Sequence, residues 1–293
     1  MKKIIAFLVV LIFAGVSFTL GFAYKYDIIY WYASTEHIKI DKSSTAQSIL
    51  SFNVRCISDA DKNDFSWKYR ASLICNILQE TKPSIICLQE NKEEQYSFFK
   101  KFLKGYDSVA TQRDSTSLSE CLPIFYRTDL YELEQSQTFW LSDTPETMSN
   151  TWDSYYFRIC TLVVLKNKNT GKRFVVANTH LDYKTIETQT KSVQLIYNKL
   201  SALDLPAVVM GDFNCTPDSE AIVLANKLFV DIAQGFEDEN KGTANNFEKD
   251  YNVRADFMFQ LAGSFSVETF KVIDKKINNH YASDHFPLYA EIN

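Results

Sequence analysis

The chain has 293 residues, of which 46% are hydrophobic, 14% aromatic and 23% charged. This composition is typical of a globular protein and excludes an intrinsically disordered chain. The formal net charge of −5 argues against a protein that binds long nucleic acid mainly by neutralising phosphates, because such proteins present a basic face. No fixed-period repeat or low-complexity linker divides the chain, so we predict a single folded domain, residues 48–293, after a short N-terminal segment.

Residues 1–23 are typical of a signal peptide or a transmembrane anchor. Lys2 and Lys3 precede the uncharged run IIAFLVVLIFAGVSFTLGFA, and 20 such residues are enough to cross a bilayer as a helix. Because positive residues stay on the cytoplasmic side, the rest of the chain is expected to be exported. It would remain anchored to the membrane, or be secreted if residues 1–23 are cleaved. The tyrosine-rich residues 24–47 are interpreted as a juxtamembrane stalk.

The following segments alternate between short apolar runs and amphipathic helices. One helix is predicted over residues 66–80, where apolar side chains recur on one face, and another over residues 187–203. Strands are predicted at SILSFNVR, SIICLQE, LPIFYR, ICTLVVLKN, KRFVVANTHLD, LPAVVMGDFN, VRADFMFQL, SFSVETFKVI and FPLYAEI. Hairpins mix with strand–helix–strand units, which favours an α/β (α+β) four-layer sandwich of two packed mixed β-sheets flanked by helices.

Acids, amides and imidazoles stand at the edges of these apolar runs. They are Asn53, Glu90, His180, Asp182, Asp212, Asn214, Asp256, Asp284 and His285. Any one of them alone would be expected to form a turn, since Asp and Asn favour turns. The repetition predicts a shared site, because strand ends in layered folds converge on one crevice.

Hydrolysis of phosphate esters is the chemistry that uses this set of side chains. Carboxylates such as Glu90 supply hard oxygen ligands for Mg²⁺, with Mn²⁺ as a substitute. The cation polarises a phosphoryl oxygen, and two histidines bind the phosphate or move protons. A buried Asp beside a His fixes its tautomer, and an Asn donates a hydrogen bond without adding negative charge.

The motifs and their order resemble the endonuclease/exonuclease/phosphatase superfamily, whose fold is deoxyribonuclease I-like. The matching motifs are SFNVR, IICLQE, ECLPIFYR, NTHLD, GDFN, RADF and SDHFP, within residues 48–293. Ser119 and the motif RADF depart from the commoner family pattern without removing a catalytic residue type.

The resemblance implies a role for each matched residue. The implied metal ligands are Glu90, Asn53 and Asp284. The implied catalytic residues are His180, Asp212, Asn214, His285, Asp256 and Glu120. Asp212 would orient or deprotonate the attacking water, Asp256 would pair with His285, and Glu120 would orient His180. The implied phosphate-binding residues are Asn53, Asn214, Arg158, His180 and His285.

The activity implied by the resemblance is Mg²⁺-dependent hydrolysis of phosphodiester bonds, as by a nuclease. A lipid or headgroup phosphodiesterase or phosphatase is the alternative. A binding module that has lost catalysis is a further class, but Glu90, Asp212 and His285 are all retained. The protein is expected to be a monomer whose substrate is nucleic acid or a phospholipid or its headgroup.

Two other groups of residues stand out in the sequence. The aromatics Trp140, Trp152, Tyr155 and Tyr156 would either stack on a base or sugar or pack a loop against the sheets. Six cysteines stand in apolar surroundings without the spacing of a metal site. Free buried thiols are therefore expected.

Overall fold

The structure is a computed structural model that describes residues 24–237, 241–248 and 253–293. Residues 1–23, predicted to be a signal peptide or membrane anchor, lie outside the described residues. Within the described ranges, none of the helices has the length and apolar character needed to cross a bilayer.

The strands of the described chain form two mixed sheets of six strands each. In chain order they are β1 (Ser48–Asn53), β2 (Ile85–Gln89), β3 (Tyr106–Val109), β4 (Ile124–Arg127), β5 (Tyr131–Trp140), β6 (Ile159–Asn167), β7 (Arg173–His180), β8 (Ala207–Asp212), β9 (Val230–Asp231), β10 (Asp256–Gln260), β11 (Val267–Val272) and β12 (Leu288–Ile292). The first sheet has the order β11-β12-β1-β2-β4-β3, and the second has the order β5-β6-β7-β8-β10-β9.

Helices cover the outer face of each sheet. They are α1 (Lys25–Thr35), α2 (Trp67–Thr81), α3 (Glu93–Phe102), α4 (Ile186–Ser201) and α5 (Glu220–Leu228). Side chains of α1 to α3 share a hydrophobic cluster with the first sheet, and those of α4 and α5 share one with the second. The predicted four-layer sandwich is therefore confirmed, and the helices predicted at 66–80 and 187–203 are α2 and α4.

The strands in the middle of the second sheet are apolar on both faces because both faces are covered. Val163 and Leu165 of β6 point into the cluster between the two sheets, whereas Leu162 and Val164 point toward α4 and α5. Alternate residues of a strand face opposite sides, so a continuous apolar run is required where neither side meets water. Burying each such side chain contributes about 1.5–3 kcal/mol.

The segment predicted to be a stalk, residues 24–47, instead packs on the domain over much of its length. The ring of Tyr30 in α1 stacks on Phe98 of α3 with centroids 5.5 Å apart, and Ala33 and Ile38 are buried. The backbone N–H of Ile38 donates to the carbonyl of Phe102 at 2.9 Å. The physical reason is that tyrosines suited to a membrane interface are equally suited to covering a neighbouring helix.

All six cysteines are free, and five of them are buried. Burial raises the pKa of each buried thiol and, together with the charge of Glu90, raises the pKa of the half-buried Cys56 to about 12. Because the thiolate is the reactive species, these cysteines should be inert in the folded protein.

We therefore expect less than one equivalent of thiol to react with Ellman's reagent at pH 8 in the native protein. After unfolding in guanidinium without reductant, all six thiols should react. Fewer than six equivalents from the unfolded protein would mean that a disulfide is present, and rapid labelling of the native protein would contradict the burial.

Candidate active site

The predicted site residues of the first sheet lie where two parallel strands end. Asn53 is the last residue of β1 and stands opposite Gln89, the last residue of β2. Glu90 follows at once with a positive φ of 60°, so the chain turns sharply and the carboxylate stays beside the end of β1. Asp284 and His285 lie in the loop before β12, which pairs with β1. All four residues are therefore at one edge of this sheet.

The second sheet brings its own site residues to the same crevice. His180 at the end of β7 stands opposite Asp212 at the end of the parallel strand β8. Asp256 begins β10 and stands opposite Asp212 in the antiparallel ladder on the other side. Asn214 follows β8 with φ of 49°, and its N–H donates to Asp212 Oδ1 at 2.8 Å.

A single amide joins the two sheets at this edge. Asn53 Nδ2 donates to Glu90 Oε1 at 3.1 Å and to Asp212 Oδ2 at 2.9 Å. Asn53 is completely buried, and only 1% of Asp212 is exposed. The amide of Asn53 thus holds Glu90, which follows β2 of the first sheet, and Asp212, which ends β8 of the second sheet, close together.

Gly211 allows β7 and β8 to approach each other directly before Asp212. It has φ of 151°, and a Cβ at this position would lie 1.9 Å from the carbonyl oxygen of Thr179, its neighbour in the ladder. A side chain would therefore push the strands apart where His180 and Asp212 must meet. This close approach gives the glycine of the GDFN motif a physical reason.

The two central carboxyl groups experience different surroundings. Burial and the charge of Asp256 raise the pKa of Asp212 to about 6, despite the opposing effect of His285. Burial also opposes ionisation of Glu90, but hydrogen bonds from the Cys56 N–H and from Asn53 hold the pKa of Glu90 below its usual value. Glu90 is therefore ionised at neutral pH, whereas Asp212 is suited to exchange a proton near neutral pH.

His285 is held by Asp256. Its Nδ1 lies 2.8 Å from Asp256 Oδ2, and its Nε2 lies 3.7 Å from Asp212 Oδ2. Burial disfavours the charged ring, but the carboxylates of Asp256 and Asp212 raise the pKa of His285 well above its usual value. The imidazolium can thus donate a hydrogen bond from Nε2 to a bound anion.

His180 is neutral, and its tautomer follows from its contacts. Asn214 Nδ2 donates to the carbonyl of Leu181 at 2.9 Å, which identifies that atom as the NH₂ group. The same atom lies 3.0 Å from His180 Nε2, so Nε2 accepts and the proton resides on Nδ1. Burial, with the charges of Arg158 and Arg113, lowers the pKa of His180 well below its usual value.

Glu120 does not orient His180 as the resemblance implied. Its carboxylate instead accepts a hydrogen bond from Arg113 at 2.6 Å, because Arg113 lies across an antiparallel backbone contact from it. Burial and the charge of Glu90 raise the pKa of Glu120. The hydrogen bond of His180 is with Asn214.

Arg158 lines a small cavity together with His180, Arg113 and Glu120. Only 5% of Arg158 is exposed, and its Nε has no hydrogen-bond partner among the described residues. The carboxylate of Asp182 lies 3.6 Å from that atom. Burial and the charge of Arg113 lower the pKa of Arg158, so an anion bound here would stabilise the guanidinium.

Asp284 is engaged by a cation rather than directed at Glu90. Arg55 donates to its Oδ2 at 2.5 Å, and Arg55 also donates twice to Asp61. Ser283 donates to the carbonyl of Asn53 at 2.7 Å, which fixes the loop before β12 against the end of β1. The implied role of Asp284 as a metal ligand would require Arg55 to release it.

Arg70 of α2 fixes the loops that carry the site. Its guanidinium is fully buried and donates to the carbonyls of Val54, Arg55 and Ala282. Burial lowers the pKa of Arg70 to about 10, so it remains charged at neutral pH. The residues after Asn53 and the residues before Asp284 are thereby held to the same helix.

Two sets of side chains have the chemistry to hold a divalent cation. Asp212, Asp256 and His285 have ligand atoms within 4.8 Å of one another. The other set is Glu90, which offers carboxylate oxygens, with Asn53, whose amide oxygen accepts from the N–H of Arg55 at 3.0 Å and would have to rotate toward Glu90 to become a ligand. A cation at the first set must compete with the proton that His285 shares with Asp256. The oxygen set suits Mg²⁺ better, because this ion prefers oxygen ligands.

The crevice continues beside His285 into a cavity of about 430 Å³. Asn214, Thr216, Asn246 and Asp284 are among the residues that line it. This volume is within the range of small-molecule binding sites.

Several positioning residues lie outside the motifs and strand ends that the sequence singles out. Gln189 of α4 donates to the carbonyls of Asp182 and Asn214 and so joins two of the site loops. Arg113 and Arg70 lie outside the edges of apolar runs. Arg70 nevertheless had a detectable signal, because an arginine on the apolar face of a helix must find buried acceptors.

Comparison with known proteins adds relatives of several activities. Uncharacterized protein L388 of Acanthamoeba polyphaga mimivirus is 27% identical over 245 residues, which are 76% of this chain and 91% of that protein. The CCR4-Not complex 3'-5'-exoribonuclease subunit Ccr4 of Emericella nidulans is 27% identical over 174 residues, which are 50% of this chain. The match spans only 26% of that Ccr4 protein.

A solved structure with a wider match is the mannosyl-6-phosphatase Bt3783 of Bacteroides thetaiotaomicron. It superposes with a TM-score of 0.77 and 28% identity over 85% of this chain and 100% of that one. The model of the endonuclease/exonuclease/phosphatase family matches residues 50–285. This range includes every strand-end residue described above. The chain therefore belongs to the endonuclease/exonuclease/phosphatase family and is a hydrolase of phosphoester bonds.

Proposed function

We propose that this protein hydrolyses a small phosphate ester by direct attack of water, assisted by Mg²⁺ bound at Glu90 and Asn53. The observation that carries the proposal is the shared hydrogen bonding of Asn53 to Glu90 and Asp212. It holds an ionised carboxylate and a proton-exchanging carboxylate side by side in a buried crevice. Buried carboxylates gathered in this way are stabilised by a cation.

The residues divide the work of hydrolysis among them. The cation would withdraw charge from the phosphoryl group. Asp212 orients the water and accepts its proton, which suits a carboxyl group with a pKa of about 6. His285, charged and held by Asp256, donates from Nε2 to a phosphoryl oxygen.

The opposite wall of the crevice binds the remaining phosphoryl oxygens. Arg158 has a buried Nε without a partner among the described residues, and the NH₂ group of Asn214 contacts His180, which lines the same small cavity. His180 contributes as a neutral ring, so it adds no charge that would hold the phosphate product too tightly. Phosphate binding here requires the hydrogen bond between Asn214 and His180 to rearrange.

A sugar phosphate is the substrate class that we favour. The mannosyl-6-phosphatase relative is matched over its whole length, whereas the match to Ccr4 spans about a quarter of that protein. The net charge of −5 also favours a small substrate over a polyanion. The 3' end of RNA is the second candidate, because the Ccr4 relatives are named as exoribonucleases. Activity on a mannose phosphate but not on an oligoribonucleotide would decide between them.

The first prediction concerns the cation. Hydrolysis should be abolished by EDTA and restored by excess Mg²⁺ or Mn²⁺, because oxygen ligands bind both ions. Glu90→Gln should weaken Mg²⁺ binding measured by calorimetry and lower kcat by about a hundredfold or more. Turnover that resists the chelator would contradict the metal assignment. Glu93→Gln, an exposed acid at the start of α3, is the matched control and should behave as wild type.

The second prediction separates the chemistry of Asp212 from its contribution to folding. Asp212→Asn should lower kcat by at least about a hundredfold, since an amide cannot accept the proton of the attacking water. The free energy of unfolding of the metal-free protein should fall by no more than about 1–3 kcal/mol, because the amide loses one accepting oxygen while burial already disfavours the charge of Asp212. Asp218→Asn, in the exposed loop after β8, serves as the control. Full activity of Asp212→Asn would remove this residue from the mechanism.

We also propose that the protein is exported and associates with a membrane through residues 1–23. Support comes from the apolar run after Lys2 and Lys3 and from Trp31 and Tyr32 of α1, each 59% exposed. Such aromatic side chains are enriched at membrane interfaces.

The third prediction follows from this location. The intact chain should sediment with membranes and resist alkaline carbonate, and its catalytic domain should be digested by protease added outside the cell. If residues 1–23 are cleaved, the protein should instead be recovered from the medium with a shortened N-terminus. Recovery of the uncleaved chain in the soluble cell fraction would contradict the proposal.

A further inference from the structure

Three tyrosines cluster beside the crevice and have no role in the hydrolysis described above. Tyr155, Tyr156 and Tyr183 are 58%, 38% and 54% exposed. Their ring centroids lie between 4.7 and 6.2 Å apart, so the three rings contact one another. We call this group the tyrosine cluster. An exposed group of large aromatic side chains next to a catalytic crevice is typical of a ligand-binding surface.

Asp182 fixes the cluster to the end of β7. Its side chain is fully buried, and its two carboxylate oxygens accept from the N–H of Tyr156 at 3.0 Å and from the N–H of Lys184 at 2.9 Å. The loop that carries Tyr155 and Tyr156 is thereby joined to the loop that carries Tyr183. The cluster is ordered before a ligand arrives, which lowers the entropy that binding must overcome.

The tyrosine cluster also contacts the side of the crevice that is formed by Arg158 and Arg113. The ring of Tyr156 lies 5.2 Å from the guanidinium carbon of Arg158 and 4.6 Å from that of Arg113. Arg158 in turn lines the cavity that contains His180. The organic group of a phosphate ester bound at Arg158 therefore has the tyrosine cluster as its neighbour on this side of the crevice.

We infer that the tyrosine cluster binds the ring of a phosphorylated pyranose and selects sugar phosphates over acyclic phosphate esters. The inference rests on the proposed phosphoesterase activity. A pyranose presents a face of C–H groups to one aromatic ring and directs its hydroxyls sideways. The ion pair of Lys184 with Asp153, 2.5 Å long and exposed, stands beside the cluster and offers partners for those hydroxyls.

The angles between the rings argue against a nucleobase stacked between two of them. Tyr155 and Tyr156 are inclined at 80°, Tyr156 and Tyr183 at 63°, and Tyr155 and Tyr183 at 38°. No two of these rings are parallel, so they form no slot in which a flat base would be stacked on both sides. Contact with the puckered face of a sugar needs only one ring at a time.

The test compares two substrates of the full chain in the presence of Mg²⁺. Tyr155→Ala and Tyr183→Ala should each lower the ratio of kcat/KM for mannose 6-phosphate to kcat/KM for glycerol 3-phosphate by about tenfold, as expected for the loss of an aromatic contact to a ligand ring. The loss should arise mainly from KM. Tyr24→Ala, an equally exposed tyrosine at the start of α1, is the control and should leave the ratio unchanged.

Thr216→Ala tests the other side of the crevice. If this variant lowers the ratio and the tyrosine variants do not, the sugar lies in the cavity beside His285 and the inference is overturned. An equal loss on both substrates in the tyrosine variants indicates a structural role and also overturns it. If the wild-type protein hydrolyses glycerol 3-phosphate or AMP but no hexose phosphate, the inferred binding of a pyranose is wrong, whereas the proposed phosphoesterase activity stands. Inactivity on all of these substrates refutes the proposed function itself.

Discussion

Hydrogen bonds between the two sheets determine where the strand ends meet. Gln89 Nε2 of β2 donates to Asn178 Oδ1 of β7 at 2.8 Å, and Asn178 Nδ2 donates back to the carbonyl of Leu88 at 2.9 Å. Both side chains are fully buried. Apolar packing is not directional, so two hydrophobic sheet faces alone would tolerate sliding. Paired amides in a buried interface do not, because a lost partner costs about 1–3 kcal/mol. The contact of Asn53 with Asp212 depends on this alignment.

The crevice above that interface contains both acidic and basic side chains, and the protonation state of each one depends on its immediate neighbours. Glu90 is kept ionised by donated hydrogen bonds, whereas burial pushes Asp212 toward neutrality. His285 and His180 show the same contrast, since one is charged beside two carboxylates and the other neutral beside arginines. The family fold thus supplies a negatively charged side that suits a cation and a positively charged side that suits phosphate. A phosphate ester bound together with a cation suits this arrangement, because the cation faces the negatively charged side and the phosphate faces the positively charged side.

The sequence was sufficient for the elements whose burial produces a strong pattern. Strands β6 and β8 are continuous apolar runs, and α2 has an apolar stripe that is buried at every predicted position, from Trp67 to Leu78. The edge strand β5, with the largely polar and partly exposed sequence YELEQSQTFW, and the short helix α3 were missed. An edge strand needs little hydrophobicity, because one long side faces solvent. The strand-end residues were found, but the partner of Glu120 was not, since Arg113 comes from an irregular loop whose path no periodicity encodes.

The pairing of β12 with β1 has a consequence for the order of assembly. β12 lies between β11 and β1, so a central position of the first sheet is filled by residues 288–292. Arg70 reaches Ala282 in the same late segment, which also carries His285. A ribosome-bound chain that has emerged only as far as β10 holds Glu90 and Asp212 but lacks both the histidine and the strand beside Asn53. The site residues are therefore complete only after residues 282–292 have joined the first sheet.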